Sequence, residues 1–155
     1  MKKQGLILVC GAAGGRMGST GHHVARMLAE KGIRVRAMVH REDDRSEKLR
    51  QSGIEVVQGD LLEYRSVRSA MEGVYRAYFS YPVQDGLLEA TTNFAVAAKQ
   101  FRVELLVNLS QYLRGDGDHP HPIRKGIGFL SRYSTWPILA PSILTPQCSL
   151  KISAH

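Results

Sequence analysis

The stretch from Leu6 to Gly18 restricts the fold more than any other part of the chain. A short apolar run, Leu6 to Cys10, stops at a glycine turn, defined here as Gly11 to Gly18, and a long amphipathic segment follows. This pattern predicts a strand, a tight turn and a helix, which together aim backbone N–H groups and the positive helix end at a phosphate. Glycine suits such a turn because it adopts backbone angles that a Cβ forbids and lets a phosphate approach the main chain.

Apolar strands and helical segments alternate down to about Ser110. The predicted strands are Leu6–Cys10, Arg34–Val39, Ile54–Gln58, Val74–Ser80 and Glu104–Ser110. The predicted helices are Gly18–Lys31, Glu42–Ser52, Glu63–Met71 and Gly86–Arg102, and the first three are ended by Gly32, Gly53 and Gly73. Such alternation indicates right-handed βαβ units. We therefore expect an α/β fold, a Rossmann-type doubly wound parallel sheet of about five strands with an irregular C-terminal tail.

The last helix and the last strand carry two packing expectations. The apolar side of the last helix is expected to contain Leu87, Leu88, Thr91, Phe94, Ala95, Ala98 and Phe101. The strand Glu104–Ser110 has an almost continuous apolar centre, which is typical of a strand covered on both faces. Cys10, at the end of the first strand, is expected to be a buried and inert thiol.

The residue after the second strand bears on which dinucleotide would bind. A free ribose 2′-OH calls for an acidic residue there, whereas a 2′-phosphate calls for a cation. The chain has Arg41 at this point, with Arg16 in the glycine turn as its partner, and arginine can hold phosphate oxygens bidentately. Although Glu42, Asp43 and Asp44 weaken the local positive field, Arg41 favours NADP over NAD. The alternative is that both arginines are solvated surface residues.

Polar residues after the later strands complete the candidate site. Asp60 could accept a hydrogen bond from the adenine amino group or could cap the following helix. Ser80 and Ser110 would border the nicotinamide end. No tyrosine has a lysine four residues later: Tyr81 and Tyr112 have aspartates there and Tyr133 has Pro137. No catalytic acid is therefore assigned. His22 and His23 are interpreted as surface residues, and no Cys/His spacing suggests a metal.

These motifs resemble the NmrA-like family, a group of atypical short-chain dehydrogenase/reductase-type proteins with an NAD(P)-binding Rossmann domain. The resemblance covers roughly residues 5–112. It is carried by Gly11-Ala12-Ala13-Gly14, Gly18-Ser19-Thr20-Gly21, Val35-Arg36-Ala37-Met38-Val39 with Arg41, Gly59-Asp60-Leu61 and Val107-Asn108-Leu109-Ser110. It implies phosphate contacts in the glycine turn, a 2′-phosphate contact at Arg41 and an adenine contact at Asp60. The predicted cofactor-binding residues are Gly11, Gly14, Gly15, Arg16, Met17, Gly18, Arg41, Asp60, Leu61, Ser80 and Ser110.

The C-terminal part departs from this pattern. We expect an NAD(P)-binding Rossmann domain over 1–112 and an irregular, basic, proline-rich tail over 113–155. All 14 acidic residues lie at or before Asp118, whereas five of the six prolines follow it. A shifted reading frame over Gly126–Thr135 allows His-Trp-Leu-Ser-Glu-Gln-Val-Phe-Asp, which looks like the family's next helix. The hypothesis is a frameshift near Pro122 to Lys125, and a divergent native tail is the alternative. A second departure is one extra residue at Gly14-Gly15.

The composition and charge of the chain limit the classes of partner that we expect. The net charge of +7 is not accompanied by a clustered basic face with interleaved aromatic residues, so no nucleic-acid partner is expected. No stretch has the roughly 18 apolar residues of a membrane span, and the absence of a signal-peptide pattern suggests a cytoplasmic location. A protein partner or a second copy of the chain stays open.

Three functional hypotheses follow. The first is an NADPH-dependent oxidoreductase that transfers hydride to a small carbonyl or quinone, as in some members of the family that the motifs resemble. The second is a non-catalytic NADP sensor that acts through a protein partner, as in other members. The third is that the chain is the cofactor-binding fragment of such a protein. The substrate is not indicated by the sequence.

Overall fold

The computed structural model of the chain describes residues 5–14, 19–82 and 84–109. Four predicted site residues of the glycine turn, Gly15 to Gly18, lie outside these ranges. Ser110 and the expected tail over 113–155 also lie outside them.

Five parallel strands form one sheet. They are β1 (Leu6–Cys10), β2 (Val35–Val39), β3 (Glu55–Gln58), β4 (Val74–Phe79) and β5 (Leu105–Asn108). Their order in the sheet is β3-β2-β1-β4-β5, and every neighbouring pair is parallel. The chain moves outward from β1 in one direction and then returns to β4 on its other side. The sheet therefore has a switch point between β1 and β4, and the expected Rossmann-type fold is confirmed.

Four helices connect the strands. They are α1 (Ser19–Glu30), α2 (Asp44–Gln51), α3 (Tyr64–Ala70) and α4 (Leu87–Gln100). Gly32 and Gly53 follow α1 and α2 with φ angles of +72° and +77°. Each glycine adopts the left-handed conformation that commonly ends a helix. The amide of the following residue then donates to a carbonyl in the last turn, as the Ile33 amide does to the Leu28 carbonyl.

Helices cover the sheet from both sides. On one face, Val9 of β1 and Ala37 of β2 pack with Ala25 of α1 and Leu49 of α2. On the other face, the strand core packs with helices α3 and α4, whose Val67 and Phe94 are buried. Cys10 is also buried, which raises the pKa of its thiol, as expected of an inert core cysteine.

The apolar side of α4 differs from the expected one. Ala90, Phe94 and Ala97 are buried, whereas Leu88 is 46% exposed. Phe94 and Ala98 are buried as expected, but the rest of the contact face is filled by Ala90 and Ala97, which lie close to the sheet and α3. Leu88 was therefore assigned to the wrong side.

The expectation that β5 is covered on both faces is wrong for the part of the chain that the structure describes. Leu106 packs on the α3/α4 face. Val107 is in register with Tyr78 and points to the opposite face, where Val107 is 39% and Leu109 38% exposed. Helices α1 and α2 lie over the β1–β3 half of that face, so this side of β5 has no covering helix among the described residues.

No helix within the described ranges is long and apolar enough to cross a membrane.

Candidate functional site

The ends of four strands bring the predicted residues to one edge of the sheet. Gly11 follows β1 and Ser80 follows β4, and a Cβ on Gly11 would lie 3.7 Å from the Ser80 Cβ. Gly59 directly precedes Asp60, and its amide donates to the Val39 carbonyl at the end of β2 over 2.9 Å. The carboxyl ends of parallel strands on either side of a switch point border the ligand crevice of such sheets. The structure thus places Gly11, Asp60 and Ser80 along the expected edge.

Two residues of the glycine turn require glycine. Gly11 has a φ of +74° and Gly14 has a φ of +66°, which an L side chain adopts only with strain. The Gly14 amide donates to the Gly11 carbonyl over 3.4 Å, which closes the first part of the turn. The Ala13 amide has no hydrogen-bond partner among the described residues.

Gly21 lets α1 begin directly against this turn. A Cβ at Gly21 would lie 2.7 Å from the Gly11 carbonyl oxygen and 2.8 Å from the Cys10 carbonyl oxygen. These are backbone atoms, so any side chain would push α1 away from the end of β1. Gly21 is absent from the predicted site residues, although a glycine inside a helical pattern signals a close backbone approach.

His22 is not the surface residue that the sequence suggested. Its partly buried Nδ1 lies 3.1 Å from the Ala12 carbonyl oxygen in the glycine turn. A carbonyl can only accept, so Nδ1 is the protonated nitrogen. His23 is exposed, as expected. His22, near the start of α1, is therefore a side-chain contact that holds the glycine turn.

Arg41 is exposed at the turn after β2, and it makes no hydrogen bond or ion pair with the residues that the structure describes. The neighbouring acids, which were expected to weaken its field, are largely neutralised. Glu42 pairs with Arg50, and Asp43 pairs with Arg45. The guanidinium of Arg41 is therefore available to an anion.

Arg45 is a residue that sequence reasoning missed. Its Nη1 donates to the Gly14 carbonyl over 2.7 Å, and its Nε donates to Asp43 Oδ2 over 2.8 Å. Asp43 is the N-cap of α2, where its Oδ1 accepts from the amides of Arg45 and Ser46. The hydrogen bond from the Arg45 side chain is the main reason that the pKa of Asp43 is lowered. We call this contact, Asp43–Arg45–Gly14, the Arg45 bridge.

Asp60 does not cap α3, whose N-cap is Glu63. Asp60 Oδ1 instead accepts from the Leu62 amide over 2.9 Å, and its other oxygen makes no hydrogen bond with the described residues. The capping alternative for Asp60 is therefore wrong. The adjoining loop is held by Asn93 of α4, whose amide donates to the carbonyls of Leu61 and Leu62 over 3.2 and 3.0 Å.

Among the residues that the structure describes, no tyrosine beside Ser80 is held in place as a proton donor. Tyr81 makes only a long contact, 3.5 Å, with the Asp85 carbonyl. The Tyr78 hydroxyl is buried without a hydrogen-bond partner, and burial raises its pKa. The other tyrosines of interest, Tyr112 and Tyr133, lie outside the described residues. Within 5–14, 19–82 and 84–109, no group of three or more His, Cys, Asp or Glu side chains could hold a metal ion.

The model of the NmrA-like family matches residues 3–108, which is more than half of the chain. The chain belongs to this family. The match spans all five strands and every described residue of the candidate site. The resemblance that the motifs carried is confirmed.

Individual relatives are longer. An uncharacterised protein of Sinorhizobium fredii is 36% identical over 122 residues, which cover 68% of this chain but 34% of that protein. Triphenylmethane reductase from Citrobacter sp., solved with NADP(H), has a TM-score of 0.62 at 22% identity. The NADPH-dependent quinone oxidoreductase of Escherichia coli, solved with NADPH, also has a TM-score of 0.62 at 22% identity. Both structures are matched over 83% of this chain and 45% of their own length, and at this identity they show the fold alone.

Proposed function

We propose that this NmrA-like chain binds NADPH across the edge formed by the ends of β1, β2, β3 and β4. The observation that carries the proposal is the glycine turn at the switch point, with two left-handed glycines and an Ala13 amide that pairs with no described residue. Such a turn at the start of a helix is an anion site for a pyrophosphate. Two structural neighbours were solved in complex with NADP(H) or NADPH, which supports the same class of ligand.

Each end of the cofactor has a proposed contact. Arg41, with Arg16 of the glycine turn, would bind the 2′-phosphate, which favours NADP over NAD. The uncommitted oxygen of Asp60 would accept from the adenine amino group, and Leu61 would lie beside it. Gly14, Gly15, Met17 and Gly18 would contact the pyrophosphate. Ser80, beside Gly11, would border the nicotinamide, together with Ser110.

The proposed chemistry is hydride transfer to a small carbonyl or quinone. The cofactor would supply the hydride, and the residues of this chain would bind and orient it. The chain spans less than half of the solved neighbours and about a third of the Sinorhizobium relative. We therefore propose that this chain acts as the cofactor-binding part of an oxidoreductase.

A second candidate is a sensor that binds NADPH without turnover. It is favoured by Asp85, an acidic residue that stands four residues after Tyr81, where a lysine would lower the pKa of the phenol for proton transfer. Loss of NADPH absorbance in the presence of small quinones supports the oxidoreductase. Binding without any loss of absorbance over a quinone and carbonyl panel supports the sensor.

Binding is tested by calorimetric titration of the full chain with NADPH and with NADH. Arg41→Met should weaken NADPH binding by about tenfold or more and leave NADH binding unchanged, because only NADPH has the 2′-phosphate. Arg68→Met is the matched control, since Arg68 is exposed on α3. A wild-type chain that binds neither nucleotide would contradict the proposed function. Equal effects of Arg41→Met on both nucleotides would contradict the role of Arg41.

A further inference from the structure

The carbonyl groups of the glycine turn are held by side chains from other elements. The Ala12 carbonyl contacts His22 of α1, and the Gly14 carbonyl accepts from Arg45 of α2. In a planar trans peptide the carbonyl and the following N–H point in opposite directions. A side chain that fixes a carbonyl on one side therefore fixes the next amide on the other. For Ala12 that amide belongs to Ala13, which pairs with no acceptor among the described residues.

Arg45 is itself fixed before it reaches the turn. Asp43 accepts from the backbone amide of Arg45 and also from two nitrogens of its guanidinium. Asp43 is in turn held by the reciprocal bonds of the capping box with Ser46, which is fully buried. The guanidinium thus lies between a rigid helix start and the Gly14 carbonyl. Three of its five N–H groups are engaged.

We infer that Arg45 is a positioning residue of the dinucleotide site. Through the Arg45 bridge, the turn after β2 holds Gly14, whose amide closes the glycine turn on the Gly11 carbonyl, and so holds the part of the turn that carries the Ala13 amide. This inference rests on the proposed function, and it assigns Arg45 a role distinct from that of Arg41. Arg41 would recognise the 2′-phosphate of NADPH, whereas Arg45 acts on the part of the site that NADPH and NADH share.

The two roles predict different binding patterns. Arg45→Met should weaken NADPH and NADH by the same factor, about tenfold for the loss of a charge-assisted hydrogen bond, with their ratio unchanged within about twofold. Arg45→Lys should behave similarly, because one ammonium cannot bind the Asp43 carboxylate and the Gly14 carbonyl as a planar fork does. Arg50→Met is the matched control, and its binding is read with NADH, which it should leave unchanged. Arg50 lies on the same helix and pairs with Glu42 and Glu47 instead of the turn, and an unpaired Glu42 beside Arg41 would affect NADPH alone.

A second measurement needs no nucleotide. Hydrogen exchange of the free full-length chain should show faster exchange at residues 11–14 in Arg45→Met and wild-type rates there in Arg50→Met. Loss of NADPH binding alone would make Arg45 a 2′-phosphate ligand and overturn the inference. Full recovery of nucleotide affinity in Arg45→Lys would show that only the charge of Arg45 matters, which would also overturn the inference. The inference would also be overturned if Arg45→Met changed neither the hydrogen exchange at residues 11–14 nor the affinity for the nucleotides. If the wild type binds neither nucleotide, the proposed function fails, and the exchange result still decides whether Arg45 holds the turn.

Discussion

Arg36 of β2 binds three acceptors, one on β3 and two at the end of α3 and in the turn after it. Its Nε donates to Glu55 Oε1 of β3 over 2.8 Å, and its Nη1 donates to the carbonyls of Ala70 and Glu72 over 2.9 and 2.7 Å. Backbone acceptors at the end of a helix lack partners within it. Replacing Arg36 with methionine keeps the aliphatic stem and removes every donor, so α3 should keep its apolar packing on the sheet but lose these hydrogen bonds to β2.

The loss of stability expected for Arg36→Met depends on how deeply this side chain is buried. The Arg36 side chain is 15% exposed, and its hydrogen bond to Ala70 is partly buried, so water replaces it poorly. A hydrogen bond from a charged donor contributes about 1.5–3 kcal/mol, and the two more exposed bonds contribute less. We expect Arg36→Met to lower the free energy of unfolding by about 2 kcal/mol. With a urea slope of about 2 kcal/mol per molar, the midpoint falls by roughly 1 M.

Urea unfolding followed by circular dichroism measures this midpoint. Arg76→Met is the matched control, because Arg76 also lies in a strand and binds a glutamate, Glu104, over 2.8 Å. Arg76 is 47% exposed, so its pair is screened by water and its loss should change the midpoint little. Equal midpoints for Arg36→Met and Arg76→Met would refute the argument from burial.

Three further predictions concern the site and the tail. Gly21→Ala should destabilise the chain and weaken NADPH binding, although alanine is the better helix former, because the added Cβ meets the Gly11 and Cys10 carbonyls. Urea unfolding measures the loss of stability and calorimetry measures the loss of binding. A gain in stability would contradict the close approach of α1 to the end of β1. The pKa of Asp43 is lowered from its ordinary value of 3.8, so its stabilising effect should be complete above that pH and disappear as the pH falls below it. The urea midpoint difference between wild type and Asp43→Asn should shrink only in that acid range, and a difference that does not depend on pH argues against a charged cap. We also propose that sequencing of the coding region from Ser110 to His155 will show a shifted frame that encodes the family helix; an intact mass and codons that match the present tail would exclude it.

The local features of the fold could be predicted because they are set by neighbouring residues. The strands end where apolar runs end, and glycines such as Gly32 and Gly53 stop helices by their own backbone preference. The doubly wound arrangement could be expected from the alternation of strands and helices and from the glycine turn after the first strand. Gly11 and Gly14 could be assigned to a turn for the same reason.

The contacts that shape the site were not predictable in this way. Arg45 and Gly14 are 31 residues apart, and their hydrogen bond exists only because the sheet places the turns after β1 and β2 side by side. His22 was interpreted as a surface residue because nothing near it in sequence shows that the Ala12 carbonyl faces it. Asp60 was assigned to two roles, and the start of α3 at Tyr64 excludes one of them.

The strand order has a consequence for how such a protein is made and changed. All four strands whose ends form the candidate edge lie within Leu6–Phe79. A chain that grows from its N-terminus completes them before the residues from α4 onward are synthesised, and N-terminal units of a protein generally fold first. Residues added or exchanged after this point leave these four strands unchanged, although Ser80 and the Asn93 contact with the loop after Asp60 come later in the chain. A new substrate pocket can therefore be joined to an unchanged cofactor edge, which accords with one fold serving both a triphenylmethane reductase and a quinone oxidoreductase.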